Sequence, residues 1–345
     1  MAAIDDQDIR DRAGRDLRQS FLLDAGAGTG KTTVLVSRIL GVIASGKSGL
    51  NRIVAITFTE KAAGELKVRL RSELERALRG FDSEDLRNVR DALVDIERAQ
   101  VSTIHSFCAT LLRERPIEAG VEPGFEVLDE MGANILLDQS WEDWLAREMD
   151  QAGGVLAEAL SLGIRVEDLN RLGNFLVRHR DVLRIPPPIE EESEAFFRCL
   201  AQSFPRLEEL RRACRDQTDR GWLQIESLKE ICHGLEQEGS LRKLIARPFT
   251  LRPNDGNQRS WSPKEALAEV KERLTEVKES YESLLSAVRH NLAVVLLNHL
   301  TGYVRHYEAA KRERGSLDFL DLLYRTRELL KTNLEVRDYF QGRFD

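Results

Sequence analysis

The chain has 345 residues, 32% of them charged and 42% hydrophobic, and its 51 Lys and Arg against 58 Asp and Glu leave a formal net charge of −7. That length suits about two domains with real cores. The acidic balance excludes a uniformly basic nucleic-acid coat but leaves room for a local basic track, because steering depends on where charge sits. No run of 18 apolar residues is present, so no membrane span is expected, and the charged first 18 residues lack the apolar centre of a signal peptide. Four scattered cysteines, Cys108, Cys199, Cys214 and Cys232, form no C-x-x-C pair. They argue against a zinc or iron–sulfur site and for a reduced, cytoplasmic chain.

In chain order, Phe21-Leu22-Leu23 reads as a first strand, followed by a glycine-rich turn and a helix from Lys31 to about Ala44. Ile53-Val54-Ala55-Ile56 reads as a second strand. The helix after it, from about Thr59 to Arg79, carries the stripe Ala62, Leu66, Leu70, Leu74 and Leu78, one apolar residue every four. Val101-Ser102-Thr103-Ile104 is a third strand, with a helix through Leu112. Strand–helix alternation over short loops predicts an α/β fold with a parallel sheet and crossover helices.

Between the first strand and its helix lies Ala25-Gly26-Ala27-Gly28-Thr29-Gly30-Lys31-Thr32, with Thr33 next. The glycines let the backbone curl so that successive N–H groups aim at one anion, and the helix N-terminus adds a favourable dipole. Lys31 is placed to reach the β- and γ-phosphates of a nucleoside triphosphate, and the Thr32 hydroxyl to ligate its Mg²⁺. Ala25 stands where such loops usually have their first glycine. The competing reading, a glycine turn with a chance lysine, fits the flanking strand and helix poorly.

From about Met131 onward the pattern is helical, interrupted at Pro186-Pro187-Pro188 and at the polar stretch from Arg252 to Ser260. Ser262-Pro263-Lys264-Glu265 has a Ser cap, a Pro at the first helical position and a Glu three after the cap, a helix start. Behind it Leu267, Val270, Leu274, Val277, Tyr281, Leu284 and Val288 form a seam spaced alternately 3 and 4. The phase slips near His290 before Leu292, Leu296, Leu300 and Val304 continue, which predicts a kink or break there. His179, His233, His290, His299 and His306 read as structural. Val127-Leu128-Asp129-Glu130 imitates the acidic strand end of a triphosphatase, but only two apolar residues precede the pair, and it reads as a decoy.

Three segments together carry a resemblance. The glycine loop, then Thr57-Phe58-Thr59-Glu60-Lys61-Ala62-Ala63-Gly64-Glu65-Leu66, then Thr103-Ile104-His105-Ser106-Phe107-Cys108 resemble the motifs of the UvrD/Rep-type superfamily 1 DNA helicases, in order and at matching spacing. The wording of the third leans to the RecB/AddA branch of helicase–nucleases. Gly315-Ser316-Leu317-Asp318-Phe319-Leu320-Asp321-Leu322-Leu323 looks like that family's return from its inserted domain. The resemblance implies a RecA-like P-loop NTPase domain over residues 1–129 with an incomplete parallel sheet, an all-helical insertion over 130–310, and a return over 311–345 that stops before the acidic (Walker B) strand.

By the same resemblance, ATP and Mg²⁺ are cofactors held by Gln7, Ala25, Gly26, Ala27, Gly28, Thr29, Gly30, Lys31, Thr32 and Thr33, with Lys31 and Thr32 catalytic and Gln7 on the adenine edge. Single-stranded DNA would run across Thr57, Phe58, Thr59, Lys61, Thr103, His105 and Ser106, with Phe58 against a base and hydroxyls on the backbone, a sequence-indifferent chemistry. The implied protein is an ATP-dependent 3′ to 5′ DNA helicase of repair or recombination, acting on single-stranded and duplex DNA, with the second subunit of a helicase–nuclease as its further partner. The alternatives are a non-catalytic nucleotide- and DNA-binding module and an unrelated P-loop kinase or switch protein.

Overall fold

Two parallel strands organise the N-terminal part of the chain. In the computed structural model, which describes residues 7–24, 26, 28–79, 85–150, 153–191, 193–238 and 249–345, β1 (Val54–Thr57) pairs in parallel with β2 (Gln100–Thr103). The register sets Ala55 against Val101 and Thr57 against Thr103, so both strands end level. Ahead of them stand α1 (Gln7–Arg15) and α2 (Lys31–Ala44). Between them run α3 (Glu60–Ala77) and α4 (Asp85–Val94), the crossover a parallel pair requires. The helix α4 lies in a stretch that the sequence pattern left unassigned.

The stripe of α3 is corrected in phase. Its buried residues are Ala63, Leu66, Leu70, Leu74 and Ala77, not a strict four-residue series. A helix turns 3.6 residues per turn, so a series of fours drifts off one face and the ends of the stripe move by one residue. Leu66, Leu70, Leu74 and Ala77 meet Ile39 and Ile43 of α2 and Val89 and Ala92 of α4 in one core.

The first predicted strand does not form. Residues 21–24 have no strand assignment and Leu22 is 96% exposed. A strand needs a ladder partner, and β1 is hydrogen-bonded to β2 alone among the described strands. A trough of about 720 Å³ opens instead among β1, α2 and residues 17–20, lined by Leu35, Ile39, Val42, Ile53 and Ala55. Asp345 sits at its wall, its N–H donating to Arg52 O at 3.1 Å and its carboxylate paired with the Arg52 guanidinium. That pairing and a hydrogen bond from Ser48 hold the Asp345 carboxyl at about 2.

The return segment completes this unit, which comprises residues 1–134 with 311–345. After α5 (Ile104–Glu114) and the short α6 (Pro116–Ala119), β3 (Glu126–Val127) pairs in parallel with β4 (Ser316–Leu317). Among the described residues the predicted sheet is reduced to β1 and β2, and β3 with β4 forms a second, separate two-stranded sheet.

The other unit, residues 135–310, holds the greater part of α7 (Glu130–Met149) and α12 (Glu265–Glu313), with α8 (Val155–Ser161), α9 (Val166–Arg178), α10 (Ser193–Arg211) and α11 (Arg220–Glu238). The predicted break near His290 is absent, and α12 runs as one helix of 49 residues beginning at Glu265. The slip in phase marks a change of partner. Leu267 to Val288 pack with Phe196 and Leu207 of α10 and Ile225 and Leu228 of α11. Further along, the Tyr303 ring meets Trp141 and Trp144, and its hydroxyl donates to Asn174 Oδ1 at 2.9 Å. A four-residue step rotates the apolar stripe without breaking the helix. Asp219, also buried, accepts from the N–H groups of Gly221 and Asn257 and from Trp261 Nε1.

After β4 come α13 (Phe319–Thr332) and α14 (Leu334–Arg343). Asp318 caps α13 in a reciprocal box with Asp321, accepting from the Asp321 N–H at 2.8 Å. The buried Lys311 ammonium donates to both carboxylates, at 2.9 Å to Asp318. Replacing one partner of such a buried group strands the others. Lys311→Met is expected to destabilise the fold by about 3–5 kcal/mol, read as a lower urea midpoint. An unchanged midpoint would show that the two carboxylates need no cation.

Candidate functional site

The glycine loop is built for curvature. Gly28 and Gly30 have φ of 77° and 92°, a left-handed backbone that side chains disfavour. Gly30 caps α2, and a Cβ there would lie 2.8 Å from the Arg10 guanidinium, which donates to Thr29 O. Two donors converge on one point inside the loop, Thr29 Oγ1 at 2.7 Å and Lys31 Nζ at 2.8 Å from Gly26 O. Lys31 and Thr33 are exposed on the first turn of α2, with Thr32 half-buried between them. The other two predicted loop residues, Ala25 and Ala27, lie outside the described residues.

Gln7 opens α1, and its side-chain amide donates to Asp11 at 2.8 Å, one turn along the same helix. Helix α1 packs against α2, and its Arg10 reaches the loop at Thr29 O. No spacing in the sequence distinguishes Arg10 from its charged neighbours.

The second and third segments meet at the level ends of β1 and β2. Thr57 lies opposite Thr103. Each strand runs into a helix capped by a threonine, Thr59 accepting from Ala62 N at 3.1 Å and Thr103 from Ser106 N at 3.2 Å. Two helix N-termini, those of α3 and α5, thus start from adjacent strand ends, where partial positive charge favours anions. Phe58 stands between β1 and α3 at 98% exposure, its ring unburied by the protein. Lys61 is exposed on the first turn of α3.

The hydroxyls in this group are already engaged. Thr57 Oγ1 donates to Thr59 O at 3.0 Å. Thr103 is buried, and its hydroxyl lies 2.9 Å from Glu60 Oε1; the Ser106 hydroxyl lies 2.8 Å from the same oxygen. Glu60 is therefore a further member of the group, one that motif reasoning misses although it stands inside the second motif. His105 is half-buried and its ring lies 4.7 Å from that of Phe319, the first residue of α13, with planes tilted by 32°. Phe319 is 42% exposed. Its place in the return segment is legible in the sequence, but its meeting with His105 depends on the β3–β4 pairing and is not.

Next to His105 the helix α5 turns inward. Cys108 is buried on it, and burial pushes its thiol above the ordinary range, which makes it a packing residue rather than a nucleophile. Asp129, the first half of the acidic decoy, accepts from Gly132 N at 2.7 Å as a cap of α7. It follows β3, in the sheet that does not include β1 and β2.

These features define an α/β unit with a phosphate-type glycine loop and a ledge of exposed aromatic and basic groups at paired strand ends, joined to a helical unit. The model of the UvrD/REP helicase N-terminal domain matches residues 7–345, and the chain belongs to that family. Among curated relatives, an ATP-dependent helicase/nuclease subunit from Alkaliphilus metalliredigens is 25% identical over 97% of this chain and 31% of its own length. Its namesake from Moorella thermoacetica is 29% identical over 89% of this chain and 25% of its own. That from Natranaerobius thermophilus reaches 37% identity over 37% of this chain and 10% of its own length. The chain spans about a third or less of the length of these relatives. No helix among the described residues is long and apolar enough to cross a membrane.

The Thr103 cap separates architecture from ligand contact. Thr103→Val removes the acceptor for Ser106 N and is expected to cost about 1 kcal/mol of stability, while Thr103→Ser keeps it and costs little. Urea unfolding of both variants measures this, and equal losses would show that the hydroxyl does not hold the start of α5.

Proposed function

We propose that this chain is the ATP- and single-stranded-DNA-binding N-terminal part of an ATP-dependent DNA helicase of repair and recombination, moving 3′ to 5′, and a piece of a helicase–nuclease that works with a second subunit. The observation that carries the reading is the convergence at the ends of β1 and β2. There a fully exposed Phe58, Lys61, His105 with Phe319, and two helix N-termini share one ledge. One ring stacks on any base and the cationic and N–H groups meet phosphates, which is sequence-indifferent recognition of a strand.

The nucleotide half of the reading rests on the loop. Thr29 Oγ1 and Lys31 Nζ converge on Gly26 O, the kind of donor cluster that a phosphate oxygen could engage in its place. The residues fit the group: Lys31 would neutralise the terminal phosphates, Thr32 would ligate Mg²⁺, and Gly26, Gly28 and Gly30 would offer backbone N–H groups. Gln7, freed from Asp11, would take the adenine edge. When bound, ATP with Mg²⁺ supplies the phosphoryl group whose transfer drives motion.

The RecA-like form of the first domain is part of the same proposal. A further parallel strand lying in the trough beside β1 would join β1 to residues 21–23, and the acidic pair that such an ATPase uses would stand at that strand's end. In this reading Asp129 is not that pair, since its carboxylate accepts from Gly132 N as a helix cap.

Three outcomes follow from these placements. Lys31→Ala is expected to weaken ATP binding while the fold survives, measured by calorimetry, and equal affinity would reject the loop assignment. Phe58→Ala should lower affinity for an oligothymidine by roughly 5- to 150-fold, since base–aromatic stacking is worth about 1–3 kcal/mol; unchanged affinity would remove Phe58 from the track. The 345-residue chain should bind ATP yet scarcely hydrolyse it, with or without DNA, because hydrolysis needs positioned charge beyond the loop. Steady turnover that disappears in Asp129→Ala would make Asp129 the acidic site.

A further inference from the structure

We infer that Glu60 is a positioning residue that sets how tightly this ledge grips a strand, by holding the hydroxyl protons of Thr103 and Ser106 away from phosphate. The inference rests on the DNA-track reading above and adds to it a residue that works against binding. Both hydroxyl oxygens lie within 2.9 Å of one carboxylate oxygen, Glu60 Oε1. A hydroxyl has one proton to give. The Thr103 oxygen also accepts from Ser106 N, and its one proton lies between two acceptors, Glu60 Oε1 at 2.9 Å and the Ser106 oxygen at 3.0 Å. An ionised carboxylate is a stronger acceptor than a neutral group, by roughly a factor of two. A phosphate must therefore compete with Glu60 directly for the Ser106 proton, and with Glu60 and Ser106 together for that of Thr103.

Charge acts in the same direction. Glu60 is exposed on the first turn of α3, between Phe58 and Lys61, where the approaching ligand is itself an anion. A protein that advances along a strand must release it at each step, and a built-in competitor for the phosphate holds the affinity down. The plain alternative is that Glu60 only favours the N-terminus of α3 and steadies the neighbouring cap. The two accounts differ in sign: loss of a scaffold loosens binding, and loss of a competitor tightens it.

The test measures binding of fluorescent oligothymidine to the 345-residue chain at several salt concentrations. Glu60→Gln keeps an acceptor for the hydroxyls but removes the charge, and Glu60→Ala removes both. Each is expected to tighten binding by about 3- to 10-fold at low salt, the size of one exposed charge pair at close range, with the gain shrinking as salt rises. Ser106→Ala should cost several-fold more in the Glu60→Ala background than in the parent chain, where Glu60 engages its hydroxyl. A merely structural Glu60 would not produce that coupling. Weaker or unchanged binding in Glu60→Gln, or equal effects of Ser106→Ala in both backgrounds, overturns the inference while Phe58→Ala still reports the track. A parent chain that binds no oligothymidine, with Phe58→Ala silent, overturns the track reading and this inference with it.

Discussion

The parallel pairing of β1 with β2 is the constraint on which the ledge depends. Because Thr57 and Thr103 are register partners, two segments separated by more than forty residues end at the same height. A slip by one residue would reverse the face of every side chain on one strand. The buried Ala55 and the α3 stripe of Leu66, Leu70 and Leu74 oppose such a slip, since it would turn apolar groups out of the core. Local cap chemistry then acts on a fixed frame, Thr59 starting α3 and Thr103 starting α5. Phe58 is left in solvent because the chain turns between strand and helix at that residue.

A second constraint brings the far end of the chain to the same place. The β3–β4 pair and the Lys311–Asp318–Asp321 group fix the start of α13. Phe319, its first residue, then meets His105. A ring pair formed across 214 residues of sequence, from position 105 to 319, depends on packing that no local pattern encodes. This is why Phe319 reads only as part of a return motif in the sequence, and as a neighbour of His105 in the structure.

Much of the local architecture is legible in the sequence because its signals are local. The span of α2 follows from glycine chemistry and periodicity, and Val54–Thr57 and Gln100–Thr103 lie within a residue of the apolar runs that announce them. The departures share a physical cause, a local pattern read where a distant partner decides. Phe21-Leu22-Leu23 has strand composition but no ladder partner, and stays irregular. The slip near His290 looks like a break because the stripe loses phase, yet α12 continues because new partners, Trp141 and Trp144, take the shifted face. Glu60 escapes a sequence reading because its role lies in oxygens contributed by β2 and α5. Gln7 is placed on α1, with its amide engaged by Asp11.

The proposed track for a single strand runs across the ends of β1 and β2. The most direct measurement is photocrosslinking of a 5-iodouracil-substituted oligonucleotide to the chain, with adducts mapped by mass spectrometry. Adducts are expected on the peptides that hold Phe58 and His105, both lost when unlabelled oligothymidine is added in excess. Adducts confined to residues 135–310, with none on either peptide, would contradict it.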